Sequence, residues 1–230
     1  MKYIFILLIS VLTLTNLQAQ TYEIGLFAGG SNFIGDVGSS KYISPNKPAF
    51  GGIFKWNRSN RHAFRFSLIY SELEAKDSKS DDPRRKERNY SFKNQIIEAS
   101  LGLEFTFFDF NVHNSRNNST PYLYTGVTVA KHDNFHFNLD GDLIDVQTSS
   151  YAYGIPMVVG YKAQLMDVFM IGVEIGARYT FSDELDGSVP DAKESRDRYS
   201  FGNVNNNDWY VFTGITLTYA FGEKPCYCVF

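Results

Sequence analysis

The chain of 230 residues carries 22 basic and 25 acidic side chains, which gives a formal net charge of −3. This balance, with no basic stripe along the sequence, argues against nucleic acid as a partner. Aromatic residues make up 16% of the chain, and aromatic side chains are enriched in β-strands. The composition therefore favours an all-β protein.

The N-terminus predicts an export signal. Lys2 precedes an apolar run from Tyr3 to Leu14, and Ala19 follows a short polar stretch, which is the layout of a secretory signal peptide cleaved after Ala19. The run is shorter than the ~20 residues that a membrane-spanning helix needs, so an N-terminal membrane helix is the less favoured alternative. We therefore expect residues 1–19 to be a signal peptide.

Apolar residues alternate with other residues along the rest of the chain. In FMIGVEIGARYTFS, residues 169–182, Val173 and Ile175 lie on one face and Glu174 and Arg178 on the other, which is the period of a β-strand. Segments with this pattern lie at 22–30, 49–57, 61–71, 92–108, 121–131, 151–164, 168–182 and 208–221. They predict about eight antiparallel strands, an even number as in bacterial outer-membrane barrels.

The lengths of the connections distinguish a membrane barrel from a soluble sandwich or a lipocalin-like barrel. Tight turns at 58–60 and 166–167 and a mid-sized turn at 109–120 alternate with long polar loops at 31–48, 72–91, 132–150 and 183–207. Outer-membrane barrels whose termini both lie in the periplasm have short inner turns and long outer loops. We therefore predict a single transmembrane β-barrel over residues 20–221, followed by a periplasmic tail at 222–230.

The non-lipid face of the predicted strands carries charges of both signs. An interior made by eight strands is just wide enough for side chains to fill it. Strand parity places equal numbers of acids and bases there, namely Glu23, Glu98, Glu104 and Glu174 with Lys55, Arg65, Lys162 and Arg178. Since unpaired buried charges cost several kcal/mol each, we expect a structural lumenal charge network that plugs the barrel.

The sequence predicts no catalytic residue, no metal site and no cofactor. It contains no nucleophile elbow, glycine-rich phosphate loop or zinc-type set of Cys and His. Glu174 and Arg178 could form a catalytic pair, but a plugged lumen would admit no substrate, which favours the structural role. His132 and His136 have a spacing that suits a metal on a helix, whereas after a strand and near an outer loop a surface pair is favoured.

Two outer segments carry local signals. Asp140-Gly141 is a strong hairpin signal and predicts strands that extend beyond the membrane. Residues 81–88, DDPRRKER, mix charges around Pro83 and predict a solvated loop. Contact of this loop with anionic lipopolysaccharide is the alternative.

Segments of the chain resemble a known family, the PorG outer-membrane proteins of the type IX secretion system of Bacteroidota. These segments are YEIGLFAGGSNFIGDVG at 22–38, RYTFSDELDG at 178–187 and YAFGEKPCYCVF at 219–230. Turns of the GDVG and DELDG kinds also occur in PorT-like barrels. The resemblance implies a non-enzymatic barrel that associates with the periplasmic ring of PorK (GldK) and PorN (GldN) and so supports protein secretion and gliding motility.

If the resemblance holds, the ring contact lies on the periplasmic side. The tail is a possible partner contact because it ends in apolar and sulfur-bearing residues, Cys226, Tyr227, Cys228 and Phe230. The cysteines could form an intermolecular disulfide or simply pack with the tail. The alternative to the secretion role is a small outer-membrane barrel of another kind, a lipid-modifying enzyme or a surface adhesin.

Overall fold

The computed structural model describes residues 21–112, 118–190, 193–203 and 206–222. They form a closed antiparallel barrel of eight strands in which each strand pairs with the next and β1 pairs with β8. The strands are β1 Thr21–Ile34, β2 Lys47–Asn57, β3 His62–Lys76, β4 Ser91–Thr106, β5 Ser119–Phe137, β6 Leu143–Met166, β7 Phe169–Thr180 and β8 Trp209–Gly222. The predicted all-β barrel and its strand number are confirmed.

Alternation along each strand divides the barrel into an outer and an inner face. On β7, Val173 is 57% exposed and Ile175 42%, whereas Glu174 and Arg178 between and beyond them are buried. The outward side chains of all the strands are mostly aliphatic or aromatic. A closed barrel pairs every strand edge, so this apolar outer face is continuous around the barrel.

Aromatic side chains gather where the strands end. Tyr22 stacks on Phe54 and on Phe221 with ring centroids 5.9 and 5.8 Å apart, at the end where the barrel begins and finishes. Tyr179 and Trp209 lie 4.9 Å apart at the opposite end. These two groups fit the aromatic girdles of membrane-water interfaces. Within the described residues, no helix has the length and apolar character needed to span a membrane.

The two ends of the barrel differ. We name the end that carries Thr21, Gly222 and the connections 58–61, 107–118 and 167–168 the turn end, and the opposite end the loop end. At the loop end β1 leads to β2 through 35–46, β3 to β4 through 77–90, and β7 to β8 through 181–208. The asymmetry of short and long connections agrees with the sequence prediction.

The expected long loop at 132–150 is wrong in detail. Strand β5 continues to Phe137 and β6 begins at Leu143, so that only residues 138–142 connect them. The N–H of Asn138 donates to the carbonyl of Asp142 at 2.9 Å, and Gly141 adopts a φ of +88°. The hairpin signal at Asp140-Gly141 therefore extends two strands beyond the rest of the barrel, as the local turn chemistry predicted.

The segment 81–88 is not simply a solvated loop. A helix, α1, spans Pro83–Arg88 after a 3-10 turn at Asp77–Lys79, and a second short helix, α2, spans Lys193–Tyr199. The Asp82 carboxylate accepts from the Arg84 N–H at 2.9 Å and so caps α1, while Pro83 occupies its first turn.

The loop-end segments pack into an apolar cluster that closes this end of the barrel. Its buried members include Phe33, Val37, Leu73, Phe92, Phe135, Phe137 and Leu185, with Tyr90 and Phe201 packed against them. Tyr90 stacks on Phe137 with ring centroids 4.3 Å apart. We call the described part of 31–46, 72–95, 132–150 and 181–208 the cap.

A smaller apolar cluster lies at the turn end. It consists of Phe110, Val112, Met170 and Ala220, all buried. Phe110 also lies under the ammonium group of Lys162, 4.7 Å from the ring centroid. Both ends of the barrel interior are therefore covered by side chains.

Candidate functional site

The eight residues that strand parity assigned to the lumen are all buried in the barrel interior. Seven of them form two charge groups, one around Glu104 and Glu174 and the other around Glu98. The strands bring them together because every second residue of a strand points inward.

Glu104 on β4 lies at the centre of the first group. The ammonium groups of Lys55 and Lys162 each lie 2.7 Å from one of its carboxylate oxygens, and Arg65 lies 3.7 Å from it. Lys55 comes from β2 and Lys162 from β6, so Glu104 links side chains from several walls of the barrel. Its charge is compensated by more than one cation.

Arg65 on β3 makes a two-point contact with Glu174 on β7. Its two terminal nitrogens donate to the two carboxylate oxygens at 2.8 and 2.9 Å, the fork geometry that makes arginine-carboxylate pairs strong. Tyr122 donates to the same carboxylate at 2.6 Å. The Arg65 guanidinium also lies over the ring of Tyr124, 4.8 Å from its centroid.

Arg178 on β7 pairs with Glu98 on β4 in the second group. Their closest nitrogen and oxygen lie 3.1 Å apart, and the Arg178 guanidinium also donates to the Gly176 carbonyl at 2.6 Å. Tyr210 donates to Glu98 at 2.6 Å. Glu174 and Arg178 thus bind different partners, an arrangement that favours the structural over the catalytic alternative.

Glu23 on β1 is satisfied by neutral groups. Its oxygens accept from the side-chain amide of Asn57 at 2.9 Å and from the hydroxyl of Thr218 at 2.7 Å. Both partners come from the strands that flank β1. Although the lumen holds equal numbers of acids and bases, not every acid there is therefore matched to a base in an ion pair.

Three lumenal tyrosines also belong to the polar interior, although the strand pattern was not used to predict a role for them. Tyr122, Tyr124 and Tyr210 are buried, and each donates a hydrogen bond to a polar side chain of the lumen. Parity could have found them, since Tyr122 and Tyr124 lie two positions apart on the inward face of β5 and Tyr210 lies on the same face of β8 as Phe212 and Gly214. Their rings fill the space that the charged groups leave.

A second polar constellation lies in the cap. It contains the carboxylates of Asp36, Asp183, Asp186 and Asp208, which we call the outer acid cluster. The Asp186 carboxylate accepts from the N–H groups of Asp36 and Val37 at 2.8 and 3.1 Å. The GDVG and DELDG turns noted in the sequence are thus joined to each other.

Burial and mutual repulsion perturb these acids. Burial, with the carboxylates of Asp186, Asp36 and Glu184, raises the pKa of Asp183 to about 8. Burial, with neighbouring carboxylates, also raises the pKa of Asp186 and of Asp208. Two basic residues of this region pair with other acids, Arg88 with Asp77 at 2.8 Å and Arg196 with Glu184 at 2.6 Å.

The two histidines do not form a surface pair. His132 is 1% exposed, and a register shift between Asp133 and Phe135 changes the alternation of β5. His136 packs on the ring of Tyr199 with centroids 5.2 Å apart. Among the described His, Cys, Asp and Glu side chains, no group of three or more is arranged to hold a metal ion.

The predicted signal peptide at 1–19 and the possible partner contact at Cys226, Tyr227, Cys228 and Phe230 lie outside the described residues. Strand β8 ends at Gly222, one position beyond the predicted end of the barrel.

Solved structures of small outer-membrane barrels are similar to this chain at low identity. Ail, the attachment invasion locus protein of Yersinia pestis, is 11% identical, with 88% of this chain and 99% of that chain covered and a TM-score of 0.45. OprG from Pseudomonas aeruginosa is 11% identical, with 89% and 97% covered and a TM-score of 0.42. A major outer membrane protein from Thermus thermophilus is 14% identical, with 88% and 100% covered and a TM-score of 0.47.

No curated protein matches the sequence. A family match covers nearly the whole chain, from residue 2 to residue 230. The chain therefore belongs to the family described as Domain of unknown function (DUF6089).

Proposed function

We propose that this protein is a non-enzymatic outer-membrane barrel component of the type IX secretion machinery. In this role it anchors or stabilises the periplasmic ring of PorK (GldK) and PorN (GldN), and so supports protein secretion and gliding. The observation that carries the non-enzymatic anchoring role is the filled lumen. A barrel whose interior is occupied by paired charges and closed at both ends acts through its outer surfaces.

The outer face supports placement in a membrane. Ile24, Leu68, Leu101 and Val159, on different strands, are each between 48% and 61% exposed, and an apolar surface of this extent is costly in water. Closed barrels satisfy every strand hydrogen bond internally, which is a requirement for crossing lipid. Short turns face the periplasm in bacterial outer-membrane barrels, so the turn end is assigned to the periplasm and the cap to the cell exterior.

The resemblance to the PorG family supports the choice of machinery. Two of the three resembling segments, 22–38 and 178–187, meet in the structure through the hydrogen bonds from Asp36 and Val37 to Asp186. Segments 149 or 150 residues apart in the chain therefore form one structural unit. The link to the secretion system itself rests on the resemblance.

The turn end offers the surface for a periplasmic partner. Leu165 and Met166 at the end of β6 are 57% and 64% exposed, and Phe108 after β4 is 62% exposed. Arg58 lies over the ring of Trp56, 5.0 Å from its centroid. Apolar side chains next to a cation suit a protein contact at the membrane surface.

Lipid and lipopolysaccharide are the further proposed partners. The apolar face meets the acyl chains, and α1 presents basic side chains at the loop end. The Arg84 side chain is 91% exposed, and Lys86 on the same helix is exposed as well. Exposed cations near the outer leaflet suit the phosphates of lipopolysaccharide.

A site-specific cross-linking experiment tests the proposed ring contact. A photo-reactive residue replaces Leu165 at the turn end, and the matched control replaces Tyr42, which is 75% exposed at the loop end. The proposal expects cross-links to the ring lipoprotein from position 165 and none from position 42, with co-purification of both ring proteins. If neither the cross-links nor the co-purification occurs in cells with an intact ring, the secretion role is wrong, and an adhesin or a lipid-modifying enzyme becomes the better account.

A further inference from the structure

The outer acid cluster brings together residues from three separate parts of the chain. Asp36 lies in the turn after β1, Asp183 and Asp186 lie after β7, and Asp208 immediately precedes β8. All but Asp183 are buried in the cap. A buried group of like charges requires compensation by hydrogen bonds, by protons or by a cation.

Backbone N–H groups compensate only part of the cluster. Both oxygens of Asp186 accept such bonds, Oδ2 from Asp36 and Val37 and Oδ1 from Ser188 at 2.9 Å. Asp208 accepts through Oδ2 alone, from the Leu185 N–H at 2.9 Å.

Two carboxylate oxygens of the cluster remain without a hydrogen bond. They are Asp208 Oδ1 and Asp183 Oδ2, and both are buried. Asp208 as a whole is 0% exposed. Leaving a buried acceptor unsatisfied costs about 1–3 kcal/mol, and more for a charged group.

The free oxygen of Asp208 points toward the turn that carries Asp36. A Cβ placed on Gly35 would lie 2.5 Å from Asp208 Oδ1, and the next two residues of that turn hold Asp186. The neighbouring carboxylates of Asp186 and Asp183 act electrostatically on Asp208. Its unsatisfied oxygen therefore faces the cluster.

A surface cleft of the cap borders the cluster at Asp183. It has a volume of about 620 Å³, and Asp183, Glu184, Asp197 and Arg196 are among its lining residues. Arg196 pairs with Glu184 at 2.6 Å rather than with Asp183. The cleft borders Asp183, whose Oδ2 is buried.

We propose that the outer acid cluster binds a divalent cation, with Ca²⁺ as the best chemical fit, through Asp183 Oδ2 and Asp208 Oδ1. Ca²⁺ accepts flexible sets of six to eight oxygen ligands that include carboxylates, backbone carbonyls and water. Because the described carboxylates do not group as three ligands of one ion, these two provide the side-chain ligands and carbonyls and water complete the shell. The bound cation would fasten the turns 35–38 and 182–188 to the start of β8.

Terbium luminescence tests this inference on the purified full chain in detergent. Tb³⁺ is a hard cation that takes the oxygen ligands of Ca²⁺, and Trp209, next to Asp208, can sensitise its emission. The wild type should show saturable emission that added Ca²⁺ abolishes. Asp183→Asn and Asp208→Asn should each weaken Tb³⁺ binding on the order of tenfold or more, since affinity follows the charge of the ligands.

Asp81→Asn is the matched control because Asp81 is an exposed acid in another segment of the cap. Its Tb³⁺ binding should equal that of the wild type. Gel mobility without heating reports whether each barrel is folded, and Asp183→Asn alone decides the test if Asp208→Asn does not fold. Absence of saturable binding by the wild type, or equal binding by Asp183→Asn, overturns the proposal.

Discussion

Arg65 and Glu174, which are 109 residues apart in the chain, join strands that are not neighbours in the barrel. Their two hydrogen bonds of 2.8 and 2.9 Å cross the lumen from β3 to β7, whereas the backbone ladders pair β3 only with β2 and β4. The contact therefore ties opposite walls together. Removing one partner would leave the other charged and buried.

We predict that Arg65→Ala destabilises the barrel by roughly 3–5 kcal/mol, because it leaves the buried carboxylate of Glu174 without its main partner. Urea unfolding in detergent or lipid measures the change. Arg84→Ala is the control, since its side chain is 91% exposed, and its midpoint should match the wild type.

Replacing both partners distinguishes the net contribution of the ion pair to the free energy of unfolding from the loss caused by leaving one charge unpaired. Arg65→Met combined with Glu174→Leu should recover much of the stability lost in Arg65→Ala, because apolar side chains of similar volume avoid a lone buried charge. If Arg65→Ala unfolds at the same urea concentration as Arg84→Ala, the lumen is wet and the pairing is unimportant.

A close approach of two strands explains a pair of lumenal glycines. Gly102 on β4 and Gly126 on β5 are directly opposite in register, and a Cβ on either would collide with the backbone of the other strand. Gly102→Ala should therefore cost about 1–3 kcal/mol through overpacking, measured by the same urea unfolding. Gly52→Ala is the control, since a Cβ there meets nothing within 4 Å; equal losses for both would remove the steric explanation.

Strand number and facing could be predicted from the sequence because the side-chain period of a strand is local information. Val173 and Glu174 face opposite sides whatever lies across the barrel. The pairing of Arg65 with Glu174, rather than with a nearer acid, depends on the stagger of distant strands. No short-range pattern encodes that stagger.

The cap was the part that the sequence predicted least well. Turn residues such as Asp140-Gly141 indicated a hairpin, yet the packing of Tyr90 on Phe137 and the joining of Asp36 to Asp186 involve segments far apart in the chain. His132 was expected on the surface because it was assigned to an outer loop, whereas β5 continues through it and its side chain extends the inward row of Thr128 and Ala130. Loops that fold on one another depend on tertiary contacts, which alternation does not report.

Stability of the cap should fall as pH rises through about 8, the raised pKa of Asp183. An unfolded Asp titrates near about 3.9, so between these values the folded cap binds a proton that the unfolded cap does not. Because the folded cap binds more protons than the unfolded cap over this range, its stability falls as pH rises. Limited proteolysis of the cap across this range, with a chelator present, measures the effect.

The control for this pH profile is Asp183→Asn, which lacks the titrating group and should show a flatter profile. Added Ca²⁺ should flatten the wild-type profile as well if the cation site exists. Proteolysis of the wild type that does not depend on pH with the chelator present would contradict a proton-linked Asp183.

Removal of residues 225–230 should leave the barrel folded but weaken its association with the ring proteins. The strand that closes the barrel ends at Gly222 and includes outward Phe221, so barrel closure does not require the tail. An apolar, cysteine-bearing tail suits a contact site. If the truncated chain inserts into the membrane normally and the ring proteins still co-purify with it in full yield, the tail takes no part in ring association.

The central claim is that the barrel is a plugged anchor whose function lies at its ends. Ion conductance of the purified protein in planar lipid bilayers tests this most directly, because the pairs around Glu104 and Glu98 and the apolar clusters at both ends occupy the interior of the described part of the barrel. The account predicts bilayers that conduct no more than protein-free ones. Stepwise conductance by the folded wild-type protein would contradict it and identify the barrel as a pore.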